Sequence, residues 1–170
     1  PWCEIIRQWS TFHPEFAYLP RKFKIAVNGA VSDRAAIEVH DIGLEAVHNA
    51  AGELGFRVSV GGGLGRTPIV GSFIREFLPW QHLLSYLEAI VRVYNRYGRR
   101  DNKFKARIKI LVKALTPEVF AERVEAEWAH LKDGPSTLTD AEVERIGRFF
   151  VDPAYKELED QSAALAQLDA

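Results

Sequence analysis

Two alternating runs, 44–48 and 55–60, flank Asn49-Ala50-Ala51-Gly52-Glu53, and the second continues without a break into Gly61-Gly62-Gly63-Leu64-Gly65. The pattern predicts a β-hairpin with a longer loop. Successive side chains in a strand point to opposite faces, so Phe56, Val58 and Val60 share one face and Arg57 and Ser59 the other. Such a sheet needs cover on its apolar face only. The four glycines that follow let backbone amides approach a ligand closely, or permit a left-handed turn. The spacing argues against a dinucleotide fingerprint: the third glycine is misplaced, and Thr67-Pro68 follows where a helix should begin. A plain mobile loop and a backbone cradle for a cofactor both remain open at this point.

The cover is helical. From Pro79, suited to a first helical position, Leu83, Leu84, Leu87, Ile90, Val91 and Tyr94 recur at helical spacing until Gly98. Further helices are expected after Thr116-Pro117, after the capping box Thr139-Asp140-Ala141-Glu142, and from Asp152-Pro153 through Leu165. A helix over 103–113 would put Lys105 and Lys109 on one face and Phe104, Ile108 and Leu111 on another. Residues 2–18 are rich in aromatics and predict a packing arm, with a short helix over 3–9. The expected fold class is α+β: a mixed or antiparallel sheet from 21–28, part of 37–48 and 54–61, packed by the helix at 79–97 and the later helices. The expected organisation is an arm (1–18), a main domain (19–131) and a helical extension of it (132–170).

Cations gather at two places. Arg21, Lys22 and Lys24 stand at the head of a strand that Pro20 opens. Alternation sends Lys22 and Lys24, about 7 Å apart by strand rise, to one face and Phe23, Ile25 and Val27 to the other. That is either two fixed donors for an anion or a lysine-rich edge strand protected against aggregation. Residues 92–113 hold nine cations and one acid, a solvated face or a basic surface able to contact nucleic acid. Residues 1–113 carry a balance of +7 and 114–170 one of −8, so an anionic ligand belongs to the first part. There is one cysteine, Cys3, which excludes a disulfide framework or a cysteine-ligated metal built from this chain alone. No apolar run approaches a membrane span, and a cytoplasmic protein is expected. The sequence starts at Pro1 and holds no methionine. It is expected to be a segment of a longer protein, with apolar surface left by excision that would favour self-association.

Leu19-Pro20-Arg21-Lys22-Phe23-Lys24, then Val60-Gly61-Gly62-Gly63-Leu64-Gly65, then the basic stretch 99–107 resemble, in order and spacing, the sirohaem-binding region of the sulfite and nitrite reductases. The resemblance covers most of 1–131. It implies a six-electron reduction of sulfite to sulfide, or of nitrite to ammonia, at a sirohaem whose iron shares a cysteine ligand with an Fe4S4 cluster. It assigns Lys22 and Lys24 to the substrate. It gives the sirohaem to Arg21, Asn102 and Arg107, with Gly61, Gly62 and Gly63 close against the ring. A macrocycle with eight carboxylates needs a basic pocket, and charge-assisted contacts from arginine suit it. Lysine at position 24 leans toward sulfite. The cluster's four cysteines and the family's active-site arginines are absent, so the isolated segment is expected to be inactive. The implied partners are sulfite or nitrite, the remaining domains of the parent reductase, and a ferredoxin or flavoprotein donor. Membrane is not among the expected partners, and nucleic acid enters only as the alternative of a non-enzymatic module using 92–113.

Overall fold

The computed structural model describes residues 1–155. The chain forms a four-stranded sheet in the order β1 (Ile25–Asn28), β2 (Ile42–His48), β3 (Leu54–Val60), β4 (Ser72–Pro79). β1 runs parallel to β2, and the other pairs are antiparallel. The sheet is therefore mixed, and the α+β expectation holds. Phe56, Val58 and Val60 lie opposite Ala46, Leu44 and Ile42, and all but Ala46 are fully buried. The opposite face is polar: Arg57 pairs with Glu76 at 2.6 Å and its guanidinium stacks 3.6 Å from the Phe73 ring centroid.

Among the described residues there are six α-helices: α1 (Trp2–Thr11), α2 (Pro14–Ala17), α3 (Leu83–Tyr97), α4 (Ile108–Leu115), α5 (Pro117–Trp128) and α6 (Asp140–Gly147). α3 lies in the middle of the core, with Leu83, Tyr86, Leu87, Ala89, Ile90 and Val91 fully buried. α1 adds Ile5 and Ile6 to the same core, α5 adds Phe120, Val124 and Trp128, and α6 adds Ile146. Trp128 reaches its buried position with its Nε1–H donated to Ser85 Oγ at 3.0 Å, which spares the indole an unpaired polar atom.

Several boundaries depart from the sequence-based expectation. The first strand starts at Ile25, not 21, yet the alternation persists through the extended approach: Lys22 and Lys24 are exposed, while Phe23, Ile25 and Val27 pack on the core. Residues 37–39 form a 3-10 turn and β2 starts at Ile42. Pro79 ends β4 rather than opening α3, and Trp80–His82 intervene as another 3-10 turn. β4 itself is unforeseen, because register shifts opposite Phe56–Ser59 break its alternation. α4 begins at Ile108, so 103–107 is not helical and Phe104 is 77% exposed. The segment is held by tertiary bonds instead: Tyr94 Oη donates to the Ala106 carbonyl at 2.9 Å, and Arg100 donates to the Tyr18 carbonyl. Thr139 caps α6 as expected, accepting from Glu142 N–H. Residues 151–155 have no regular structure; the rest of the helix expected from Asp152 lies outside the described residues.

Candidate functional site

The strand register brings three chain segments into one row. Ile25 pairs with Ile42, and Ile42 with Val60. Lys24, Asp41 and Gly61, each one step outside the sheet, therefore meet at the same end. Ile42 N–H donates to the Lys24 carbonyl at 3.1 Å, and Gly61 N–H to the Asp41 carbonyl at 3.0 Å. The Asp41 carboxylate is fully buried. Its Oδ2 accepts the Lys24 N–H at 3.0 Å, and its Oδ1 accepts Nε and Nη2 of Arg107 at 3.0 and 2.7 Å. A buried carboxylate with three donors is satisfied, as burial demands.

Beside this row lies a cavity of about 210 Å³ lined by Lys22, Lys24, Val39, His40, Leu64, Gly65 and Arg107. Two lysines and an arginine line it, and no carboxylate does. A larger cavity of about 480 Å³ sits between α1 and the 135–139 segment, but no lysine or arginine lines it. By its chemistry the smaller one is the candidate anion site.

The glycine loop forms the neighbouring wall. Gly61 has φ +81°, which disfavours any residue with a Cβ. A Cβ on Gly62 would collide with the Glu38 carbonyl oxygen of the 3-10 turn, so this position needs glycine for close packing. Gly63 lies against Lys109 and Arg107 and exchanges two backbone hydrogen bonds with Ile69, at 2.9 and 3.0 Å. Lys109, 7% exposed, holds the loop from beneath: its Nζ donates to the carbonyls of Thr67 (2.6 Å), Gly63 (3.4 Å) and Leu64 (3.4 Å). Burial holds the Lys109 ammonium below the ordinary lysine range, and the Arg107 charge adds to the effect.

Of the residues expected from sequence, Lys22, Lys24 and Arg107 share the cavity, with Gly63 adjoining Arg107. Gly61 lines a separate cavity of about 260 Å³ toward α4. Arg21 donates to the Lys103 carbonyl at 2.8 Å, which ties the lysine arm to the basic stretch without reaching the cavity lining. Asn102 Oδ1 accepts the Phe104 N–H at 2.9 Å and so caps a turn. Two residues were not foreseen. Asp41 is one acid just before an apolar strand, and its burial is a tertiary fact. Lys109 offered one signal, a lysine set among Ile108, Ile110, Leu111 and Val112. Cys3 is exposed, and no cluster of three or more metal-ligating side chains occurs among the described residues. No described helix is long and apolar enough to cross a membrane.

Residues 1–132 match the family model described as the nitrite and sulphite reductase 4Fe-4S domain. The chain belongs to that family. It is 36% identical over 135 residues to a ferredoxin sulfite reductase of Mycolicibacterium paratuberculosis, covering 78% of this chain and 24% of that protein. A ferredoxin sulfite reductase of Synechococcus elongatus is 40% identical over 116 residues, 64% of this chain and 19% of the relative. The solved structure of the Mycobacterium tuberculosis NirA protein superposes with a TM-score of 0.67 at 33% identity, covering 78% of this chain and 24% of that one. The chain thus spans about a quarter of the length of the first curated relatives it matches.

Proposed function

We propose that this chain is the substrate-lysine-bearing, sirohaem-facing part of a reductase that converts sulfite to sulfide. The observation that carries this is the cavity in which Lys22, Lys24 and Arg107 converge with no lining carboxylate. A small oxyanion fits that charge, and clustered cations in a partly enclosed site favour developing negative charge. The Lys22 and Lys24 ammonium groups bind the anionic substrate and donate protons as its oxygens leave as water. Arg107, half-shielded with its fork set by Asp41, and Arg21 suit the peripheral carboxylates of a sirohaem. Asn102 serves the same wall, and Gly61, Gly62 and Gly63 let the backbone lie close to the ring. Held by these residues, a sirohaem would supply the electron-transfer chemistry. An Fe4S4 cluster does not fit the residues present. The chain has one cysteine, exposed, so the cluster's ligands come from elsewhere in the parent protein and no step here passes through it. Residues 19–131 carry the site, with 1–18 as an arm; the expected extension over 132–170 lies outside the described residues from 156 onward.

The named relatives point to ferredoxin as the electron donor. Nitrite is the second substrate class, since the same cations would hold it; lysine at position 24 favours sulfite by family resemblance. A nucleic-acid surface on 92–113 is disfavoured because Arg92, Arg96 and Arg99 are engaged in ion pairs with Glu88, Glu127 and Asp101.

The test is to assay the whole protein that carries this chain with reduced ferredoxin, measuring sulfide from sulfite and ammonium from nitrite. Sulfide formation is expected, falling about 10²-fold in Lys24→Ala with an unchanged circular dichroism spectrum. Ammonium without sulfide would install the nitrite reading, and neither product would overturn both.

A further inference from the structure

We infer that Asp41 is the positioning residue of the cation-lined cavity, one buried carboxylate setting both the Lys24 backbone and the Arg107 guanidinium. What the cavity binds rests on the function proposed above; the arrangement of Asp41 does not.

Three segments distant in sequence meet on this residue. Its Oδ2 fixes the Lys24 N–H, its Oδ1 takes two nitrogens of Arg107, and its carbonyl takes the Gly61 N–H. Both residues so tied, Lys24 by its backbone and Arg107 by its guanidinium, line the cavity. With Nε and Nη2 committed, Arg107 Nη1 has no acceptor among the described residues and is left for a ligand. The Arg107 side chain is 14% exposed and Asp41 is not exposed at all, so the fork has little freedom to leave.

Two simpler accounts of Asp41 fall short. Stability alone does not explain it, because a buried ion pair is commonly no better than well-packed apolar groups of the same volume. Electrostatic attraction does not explain it either. A carboxylate beside an anion site opposes anion binding by Coulomb's law. A negative charge is tolerated there because it gives geometry in return. The held Arg107 guanidinium loses little freedom when the anion arrives, and the Lys24 side chain starts from a fixed backbone; this preorganisation favours binding.

The opposed signs make the experiment decisive. On the full 170-residue chain, hydrogen exchange at the Lys24 amide and at Arg107 Nε–H is expected to be at least about 10²-fold slower than in exposed groups. Exchange at exposed rates in the unmodified chain would overturn the inference without any variant. Asp41→Asn keeps an acceptor for the Lys24 N–H but loses the charge that grips Arg107. Arg107 Nε–H exchange should then speed up at least about tenfold while the Lys24 amide stays protected. In the whole protein that carries this chain, sulfite affinity by calorimetry should weaken about tenfold, although the site has lost a negative charge. Tighter or unchanged sulfite binding would reduce Asp41 to a charge effect and overturn the inference. If sulfite fails to bind the whole protein that carries this chain while exchange follows the expected pattern, the proposed function fails and the positioning role stands.

Discussion

The cations at the glycine-loop end and those along α3 are matched in different ways. On α3, Arg92 lies 2.6 Å from Glu88, 3.3 Å from Glu127 and 3.8 Å from Glu15, and Arg96 lies 3.3 Å from Glu127. There, three carboxylates serve two arginines. At the loop end Lys22, Lys24 and Arg107 line one cavity, the one carboxylate beside it, Asp41, pairs with Arg107, and Lys109 is satisfied by carbonyls instead. The first cluster is closed on itself and fastens α3 to α2 and α5. The second leaves positive charge over, which is what an anion site requires. In sequence both belong to basic stretches of the same appearance. Whether a carboxylate answers each cation separates fastening from binding.

This contrast can be broken from either side. The largest stability effect should come from Glu88→Ala. Glu88 is buried and accepts from Arg92 and from Ser136 Oγ, at 2.6 and 3.1 Å. Losing charged hydrogen bonds of this kind costs about 2–3 kcal/mol, read as a lower urea midpoint, with sulfite binding unaffected. Lys109→Met should cost less, under about 1 kcal/mol, because the burial penalty of the ammonium disappears with it and water can reach the carbonyls of the exposed residues Leu64 and Thr67. The loop should nonetheless loosen, seen as faster amide exchange over 64–67. The same variant has a pH signature. With the folded pKa of Lys109 below its unfolded value, the unfolded chain holds more protons in between, so stability should rise as pH climbs through the folded value toward 10.5. Lys109→Met should lack that rise in melts taken across the alkaline range. The smallest stability effect belongs to Lys22→Ala, within about 0.5 kcal/mol, because Lys22 is exposed; its loss should appear in sulfite affinity. If Lys22→Ala destabilised the chain as much as Glu88→Ala, the distinction between the two clusters would collapse.

The hairpin was readable because Phe56, Val58 and Val60 alternate with polar residues and their partners lie directly opposite. The lysine arm was readable for the same reason, since Phe23, Ile25 and Val27 have one side to bury. β4 was not, because a bulged strand loses the period that announces it and Pro79 imitates a helix start. A helix was expected over 103–113, yet 103–107 is not helical: the Ala106 carbonyl accepts from Tyr94 Oη, and the neighbouring Arg100 donates to the Tyr18 carbonyl, partners far from any local turn. Lys22 and Lys24 could be named from their positions before β1. Asp41 and Lys109 could not, because an acid before a strand and a lysine within an apolar turn gain meaning only from what the fold buries beside them.

The mixed sheet also fixes where the molecule can tolerate change. β1 enters parallel to β2, and β3 leaves antiparallel to it, so Lys24, Asp41 and Gly61 meet at one end while the 49–53 hairpin tip lies at the other. Residues added at that tip alter no strand pairing and move none of the three. A one-residue slip of β1 would turn Lys24 inward and send Ile25 outward, exchanging the core for the cavity in a single step. The site therefore has no separate scaffold to fail: the pairing that keeps the core dry is the same pairing that keeps the cations at the rim.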